Sequence, residues 1–184
     1  FVQLDSQDLP VDSRAGFGDG VLQVFYCTNG EEDCEVLGHA HLPFSDANLV
    51  RVIPRQQADG FDALPVGIPD AFTEQALTGW QRVTDFPDRQ EMAALNDDVP
   101  QGMVALLQAH RPAPHGGDKF LGWPHWVTDV DYPPCSCCNK PMKFIFQIDS
   151  TDTLPFWFGN SGCAHVFQCE SHPQVLTMSW EGRP

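Results

Sequence analysis

Apolar positions in this chain come in short runs, each cut off by proline, glycine or an acidic turn. Val21 to Cys27 ("VLQVFYC") is β-branched and aromatic, the residue types that fit a pleated, half-buried surface. Asn48 to Pro54 ("NLVRVIP") and Leu77 to Pro87 ("LTGWQRVTDFP") alternate and then stop at proline, which predicts two more strands. Met142 to Asp149 ("MKFIFQID") is largely apolar on both faces, as a central strand requires. Cys163 to Cys169 and Val175 to Trp180 predict a closing pair across the turn "ESHPQ". Helical patterning is confined to the middle. Pro87 to Asn96 has proline at its first turn and acids early, and Gln101 to His110 is a second short amphipathic candidate. "RPAPHGGD" (Arg111 to Asp118) reads as a linker. The predicted class is α+β, mostly β, with antiparallel sheet units and a short helical segment between them.

Compared with itself, the chain repeats. With one inserted residue, Gln3, Asp5, Ser6, Asp8, Leu9 and Pro10 align with Gln147, Asp149, Ser150, Asp152, Leu154 and Pro155. The match continues from "GDGVLQVFYC" (Gly18 to Cys27) to "NSGCAHVFQC" (Asn160 to Cys169), pairing Gly20 with Gly162, Val24 with Val166, Phe25 with Phe167 and Cys27 with Cys169. An internal duplication is expected: a first copy over 1–60, connecting strand and helices over 61–118, and a second copy over 119–184. Lys119 to Met142 is a leader to the second copy that has no counterpart in the first. The first copy starts abruptly at its strand and without an initiator Met, so an upstream leader is expected.

Composition narrows the function. The 184 residues carry a 42% hydrophobic fraction, enough for a core. No apolar run approaches a membrane span, and no segment resembles a signal peptide. The formal net charge of −15 repels phosphate backbones and anionic membranes, and it favours a basic partner through long-range steering. Simple solubility is the commoner reason for such a surface.

The seven cysteines suggest metal rather than a secreted disulfide framework. Cys135 and Cys138 form C-x-x-C, and Cys169 and His172 form C-x-x-H. A two-residue spacer turns both side chains of a pair to one point, and two pairs complete a tetrahedron around Zn²⁺. One pair precedes the strand Met142 to Asp149, and the other follows the strand Cys163 to Cys169. If those strands are antiparallel neighbours, both pairs meet at one edge of the sheet. A structural zinc held by Cys135, Cys138, Cys169 and His172 is therefore expected, with Cys137 as the odd thiol. The competing reading is buried or idle thiols. Cys27 and Cys34 in "CTNGEEDC" either pair, join upstream ligands, or stay free.

No catalytic set stands out: nucleophile elbow, phosphate-binding loop and zinc-protease motifs are all absent. His39 and His41 have the types to bind metal, but a lone H-x-H more often marks a polar loop or edge strand. The pairs Asp5/Asp8 and Asp149/Asp152 read as turn caps before Leu-Pro rather than as paired catalytic carboxylates. Cys163 and His165 share a strand face and have the residue types of a thiol nucleophile with its base, against the reading of a core Cys and an edge His. "LPFWFG" (Leu154 to Gly159) either folds under the sheet or forms a contact patch.

"GVLQVFYCTN", "LVRVIP", "GWQRVTDFPDRQE", "KFLGWPHWV", "CSCCNKPMKFIFQIDS" and "GCAHVFQCESH", in that order, resemble the bacterial YwqG family, a domain of unknown function. The resemblance covers nearly the whole chain. It implies a duplicated, mostly β fold and kinship with the programmed-cell-death-protein-two and Tsr-type domains, which look like chaperones for a basic ribosomal protein. It also implies, for bacterial members, a role as immunity proteins against secreted toxins. No catalytic residues carry over from it. The resulting expectation is a cytoplasmic, non-enzymatic module whose acidic surface holds a basic polypeptide, with structural zinc. The alternative is a thiol- or zinc-dependent enzyme using Cys163/His165 or an open metal site.

Overall fold

The computed structural model describes residues 2–10, 12, 16–28, 39–58, 75–95, 102, 105, 109, 113–150, 152 and 156–182. The strands form where β-branched and aromatic residues cluster: β1 (Val2–Asp5), β2 (Val21–Tyr26), β3 (Asn48–Ile53), β4 (Lys119–Phe120), β5 (Lys143–Asp149), β6 (Cys163–Gln168) and β7 (Leu176–Glu181). They make two antiparallel sheets, one ordered β1-β2-β3 and one ordered β4-β5-β6-β7. Two short helices, α1 (Arg55–Ala58) and α2 (Arg89–Leu95), lie among the described residues. The fold is mostly β, as the sequence predicts. Among the described residues, no helix is long and apolar enough to cross a membrane.

β5 is the central strand that its two apolar faces require. Phe144, Ile145, Phe146 and Ile148 are all buried between the flanking strands β4 and β6. The predicted closing pair is β6 with β7, running from Gln168↔Leu176 to Cys163↔Glu181. The sheets meet where the segment before β3 runs along the free edge of β7. Trp180 N–H donates to the His41 carbonyl at 3.1 Å, Phe44 N–H to Thr177 Oγ1 at 2.6 Å, and the Asn48 amide to the Met178 carbonyl at 3.3 Å. That edge is thereby closed to pairing with another chain. One core joins the sheets, with Leu4, Leu22, Val24 and Val50 from one packing with Ile145, Ile148, Val166 and Met178 from the other.

The turns of the β1–β2 and β5–β6 hairpins are built alike. Asp5 pairs with Val21, and Asp149 pairs with Cys163. Asp8 N–H donates to the Asp5 carbonyl, and Asp152 N–H to that of Asp149. Ser6 N–H donates to the Gly20 carbonyl at 3.0 Å, and Ser150 N–H to that of Gly162 at 3.1 Å. The glycines answer to one steric demand. A Cβ on Gly20 would stand 2.4 Å from the Ile53 carbonyl oxygen at the end of β3, and one on Gly162 would stand 2.1 Å from that of Glu181 at the end of β7.

Two expectations need adjustment. Leu77 to Pro87 is not a strand: residues 75–88 have no regular structure. Its alternation marks no buried face, because Leu77 and Val83 are exposed while Trp80 packs against the core. The segment is held instead through Asp85, whose carboxylate accepts the N–H groups of His115 (2.6 Å) and Trp123 (2.8 Å) and the ammonium of Lys119 (3.0 Å). The 113–118 part of the supposed linker is tied down, since Gly117 N–H donates to Asp149 Oδ2 and Asp118 N–H to Asp152 Oδ2. The helix predicted over 101–110 lies mostly outside the described residues, of which Gly102, Ala105 and Ala109 are helical. α2 forms where expected, with a capping box: Gln90 N–H donates to Asp88 Oδ1, and Asp88 N–H to Glu91 Oε2.

Two carboxylates couple this fold to pH. Burial opposes ionisation of Asp85, but the N–H groups of His115 and Trp123 and then Lys119 outweigh it and hold its pKa below 3.8. At Asp5 the hydrogen bond from Arg55 dominates and lowers the pKa in the same sense. A depressed carboxyl contributes stability that is full above its unfolded pKa and lost as pH falls through its folded one. Urea midpoints should therefore fall on acidification from about pH 5 toward pH 2, and Asp85→Asn should flatten that dependence. Gly162→Ala should cost about 1–3 kcal/mol at pH 7, read as a lower urea midpoint at constant slope.

Candidate metal centre

The antiparallel pairing of β5 with β6 sets Lys143 opposite Gln168, so the residues before β5 lie beside those after β6. The first pair of cysteines sits on a tight loop. Asn139 N–H donates to the Cys135 carbonyl and Cys135 N–H to the Lys140 carbonyl, both at 2.8 Å. Asn139 takes φ 56°, a left-handed conformation that asparagine tolerates. Pro134 and Pro141 close the loop as an isolated antiparallel bridge. The second pair lies on the β6–β7 turn, closed by Cys169 N–H to the Val175 carbonyl and Val175 N–H to the His172 carbonyl.

Cys135, Cys138, Cys169 and His172 converge, with one ligand atom from each all within 4.8 Å of one another. Cys138 Sγ is 3.7 Å from Cys169 Sγ, and His172 Nδ1 lies 3.6 Å from Cys169 Sγ and 4.0 Å from Cys135 Sγ. Zn–S bonds of about 2.3 Å at tetrahedral angles require an S···S separation of about 3.8 Å. The donor set and its spacing thus fit a four-coordinate metal ion. Beneath it lies an apolar floor of Met142, Phe144 and Phe167, with Trp126, Tyr132 and Val175 packed around it. Burial disfavours the Cys135 thiolate, but the N–H groups of Cys137 and Cys138 and then the Cys169 and Cys138 thiols outweigh it, bringing the pKa down to about 6. Burial raises Cys169. A metal ion needs the thiolate form, and the loop's own backbone already favours it at Cys135.

The other candidate residues stand apart. Cys137 is exposed and outside the cluster, although its N–H donates to Cys135 Sγ at 3.4 Å. Cys27 is half-buried, and Cys34 lies outside the described residues. His39 and His41 are 6.3 Å apart between ring centroids and join no metal-binding group among the described residues. Asp5 caps its turn, its Oδ1 accepting the Gln7 N–H at 2.8 Å. In the "LPFWFG" stretch, Phe158 is buried and Phe156 packs against the core, while Trp157 is 59% exposed. Leu154 and Pro155 lie outside the described residues.

Cys163 and His165 share a face of β6 but are not activated. Burial, and then the charges of Asp149 and Glu181, push the Cys163 thiol far above its ordinary range. Burial pushes the His165 imidazole down to about 3. His165 packs among aromatic rings, 4.8 Å from Trp126 and 6.0 Å from Phe144 between centroids. An unionised thiol beside a poor base is a weak nucleophile.

One polar cavity was not anticipated from the sequence. It measures about 280 Å³ and is lined by His125, Trp126, Val127, Asp149, Ser161, Gly162 and Cys163. No protein-family model, curated protein or solved structure matches the chain.

The contrast between thiols gives a direct check. Iodoacetamide at neutral pH should label Cys137 in the native protein and spare Cys163, with labelling sites read by peptide mass spectrometry. Equal labelling of both would contradict the buried, unionised state of Cys163.

Proposed function

We propose that this protein is a non-catalytic binding module that holds a basic polypeptide, its second sheet stapled by a structural zinc ion. The observation that carries the reading is the closed ligand set. Four protein donors fill a tetrahedron, whereas catalytic zinc sites keep three and leave a position for water or substrate. The donors Cys135, Cys138, Cys169 and His172 meet that description. A net charge of −15 supports a basic partner. The resemblance to the YwqG family supports toxin immunity or a chaperone-like role as the use of such binding. Thiolate ligation by Cys135, Cys138 and Cys169 suits a reducing compartment. We therefore take the cytoplasm as the site of action. An enzyme working through Cys163 and His165 has less support, given the protonation states that burial imposes on both.

Protein purified without chelator should carry one zinc per chain by elemental analysis. Cys138→Ser should lose it, and Cys137→Ser should keep it. Chelation should lower the melting temperature by on the order of 10 °C, as expected when a tight ligand leaves a chain of this size. An arginine-rich peptide should bind, and its affinity should fall steeply between about 50 and 500 mM salt. No binding, or binding indifferent to salt, would refute the partner class.

A further inference from the structure

The segment from Gly117 to Tyr132 closes the second sheet at two places. Along the edge of β5, Lys119 pairs with Gln147 and Phe120 with Phe146, and Asp149 N–H donates to Asp118 Oδ1 at 2.8 Å. Across the outer face, Trp126 stacks on Phe167 with ring centroids 6.2 Å apart, and Tyr132 meets the same ring edge-on at 5.9 Å. Gln147 and Phe167 on that face are fully buried as a result.

The first sheet has the same two places. Its register allows comparison residue by residue. Gln3 pairs with Gln23 as Gln147 pairs with His165, and Asp5 pairs with Val21 as Asp149 pairs with Cys163. The bond from Ser6 N–H to the Gly20 carbonyl fixes which backbone groups face β2. Bonded and non-bonded pairs alternate along an antiparallel ladder. Leu4 and Val2 therefore bond to β2, while the N–H and C=O of Gln3 and the N–H of Asp5 point away from it. Their counterparts at Gln147 and Asp149 are taken by β4 and Asp118. Among the described residues, β1 is an edge strand and pairs with β2 alone. Leu22 and Val24 turn into the shared core, so Gln23 and Phe25 take the outer face. There Phe25 lies opposite Leu49, and the two are 41% and 50% exposed where Phe167 is covered.

Charge gives an occupant its direction. The Asp5 end of β1 gathers the carboxylates of Asp5, Asp8 and Asp19 around one guanidinium, that of Arg55. The Asp19 side chain is 92% exposed, and Asp8 is exposed as well. Toward Phe25 the charge is Arg51, whose guanidinium lies 5.5 Å from the Phe25 ring centroid and donates to Gln23 Oε1 at 2.9 Å. A cation is thus favoured at the Asp5 end and an aromatic ring at the Phe25 end. An antiparallel neighbour of β1 enters at the Asp5 end and leaves toward Phe25. Its basic residues therefore precede its strand, and its ring follows.

We propose that the edge of β1 and the outer face around Phe25 form one docking surface for a segment of a basic polypeptide. The segment adds an antiparallel strand to β1, sets an aromatic side chain on Phe25 and carries Lys or Arg ahead of the strand, beside Asp8 and Asp19. It does in trans for the first sheet what residues 117–132 do in cis for the second. Main-chain bonds supply affinity in such strand addition, and side chains supply selectivity. The proposal rests on the reading of a basic polypeptide partner and names where, and in what conformation, that partner is held.

The test is ¹⁵N–¹H NMR of the protein as purified, titrated with the acetylated and amidated peptide RRKFLGWPHWV, which joins two arginines to a copy of Lys119 to Val127. Shifts should centre on Gln3, Asp5 and Phe25, and the Gln3 and Asp5 amides should gain protection from hydrogen exchange. Methylating the backbone nitrogen of the peptide's lysine should weaken binding at least about fivefold by removing its bond to the Gln3 carbonyl. Phe25→Ala should weaken it about tenfold or more. Asp19→Asn should weaken it and lessen its salt dependence. The methylated peptide keeps the proposal open to refutation should a variant fail to fold. Shifts centred on the second sheet, or full binding by the methylated peptide, would overturn the surface. So would Gln3 and Asp5 amides already protected before peptide is added. Protection that grows with protein concentration would assign the edge to a second copy, and protection independent of it to another segment of the same chain. If this peptide binds with salt sensitivity but away from β1, the surface fails and the partner class stands. If no arginine-rich peptide binds, the partner class fails on its own terms.

Discussion

The antiparallel pairing of β5 with β6 is the interaction on which the rest depends. Its register sets Lys143 against Gln168 at one end and Asp149 against Cys163 at the other. The first end brings two cysteine-bearing loops together, and the second shapes a polar turn. Neither site could be assembled by local chain alone, because the donors in each come from segments far apart in sequence. Both faces of these strands are covered, with Ile145, Ile148, Ala164 and Val166 fully buried or nearly so. A one-residue slip would turn those side chains to the opposite face and separate the ligand pairs together.

The polar groups buried within this sheet follow the same logic. Gln147 is fully buried, yet its amide donates to the Gly117 carbonyl at 2.7 Å and its oxygen accepts the His125 N–H at 2.7 Å. Glu181 accepts the N–H groups of Val127 and Thr128. Asp85 does similar work from the irregular 75–88 segment. The chain from His115 to Thr128 has only the two-residue strand β4 of its own, and these three side chains, with Asp149 and Asp152, help set its place. An unpaired polar group at such positions would cost about 1–3 kcal/mol, so the wrapping segment and the strands specify each other.

Much of the fold was legible because it is written locally. The two apolar faces of Lys143–Asp149, the β-branched run at Val21–Tyr26 and the capping residues of α2 each announce their element within a few positions. The ligand spacings were equally local, and only their convergence needed the strand pairing. Leu77 to Pro87 misled because alternation was read as a buried face, while Asp85 within it was spoken for by distant backbone donors. The polar cavity was invisible for a related reason. Its lining arrives from residues 125–127, 149 and 161–163, and nothing in their sequence spacing links them.

The seven residues of β5 also act as a spacer. At about 3.3 Å per residue the two ends of the strand stand roughly 20 Å apart. Exposed charges are screened over about 8 Å at physiological ionic strength. A charge at one end is thus electrostatically remote from a charge at the other, and a change at the cysteine-bearing loops reaches the Asp149 turn through the stiffness of the strand between them.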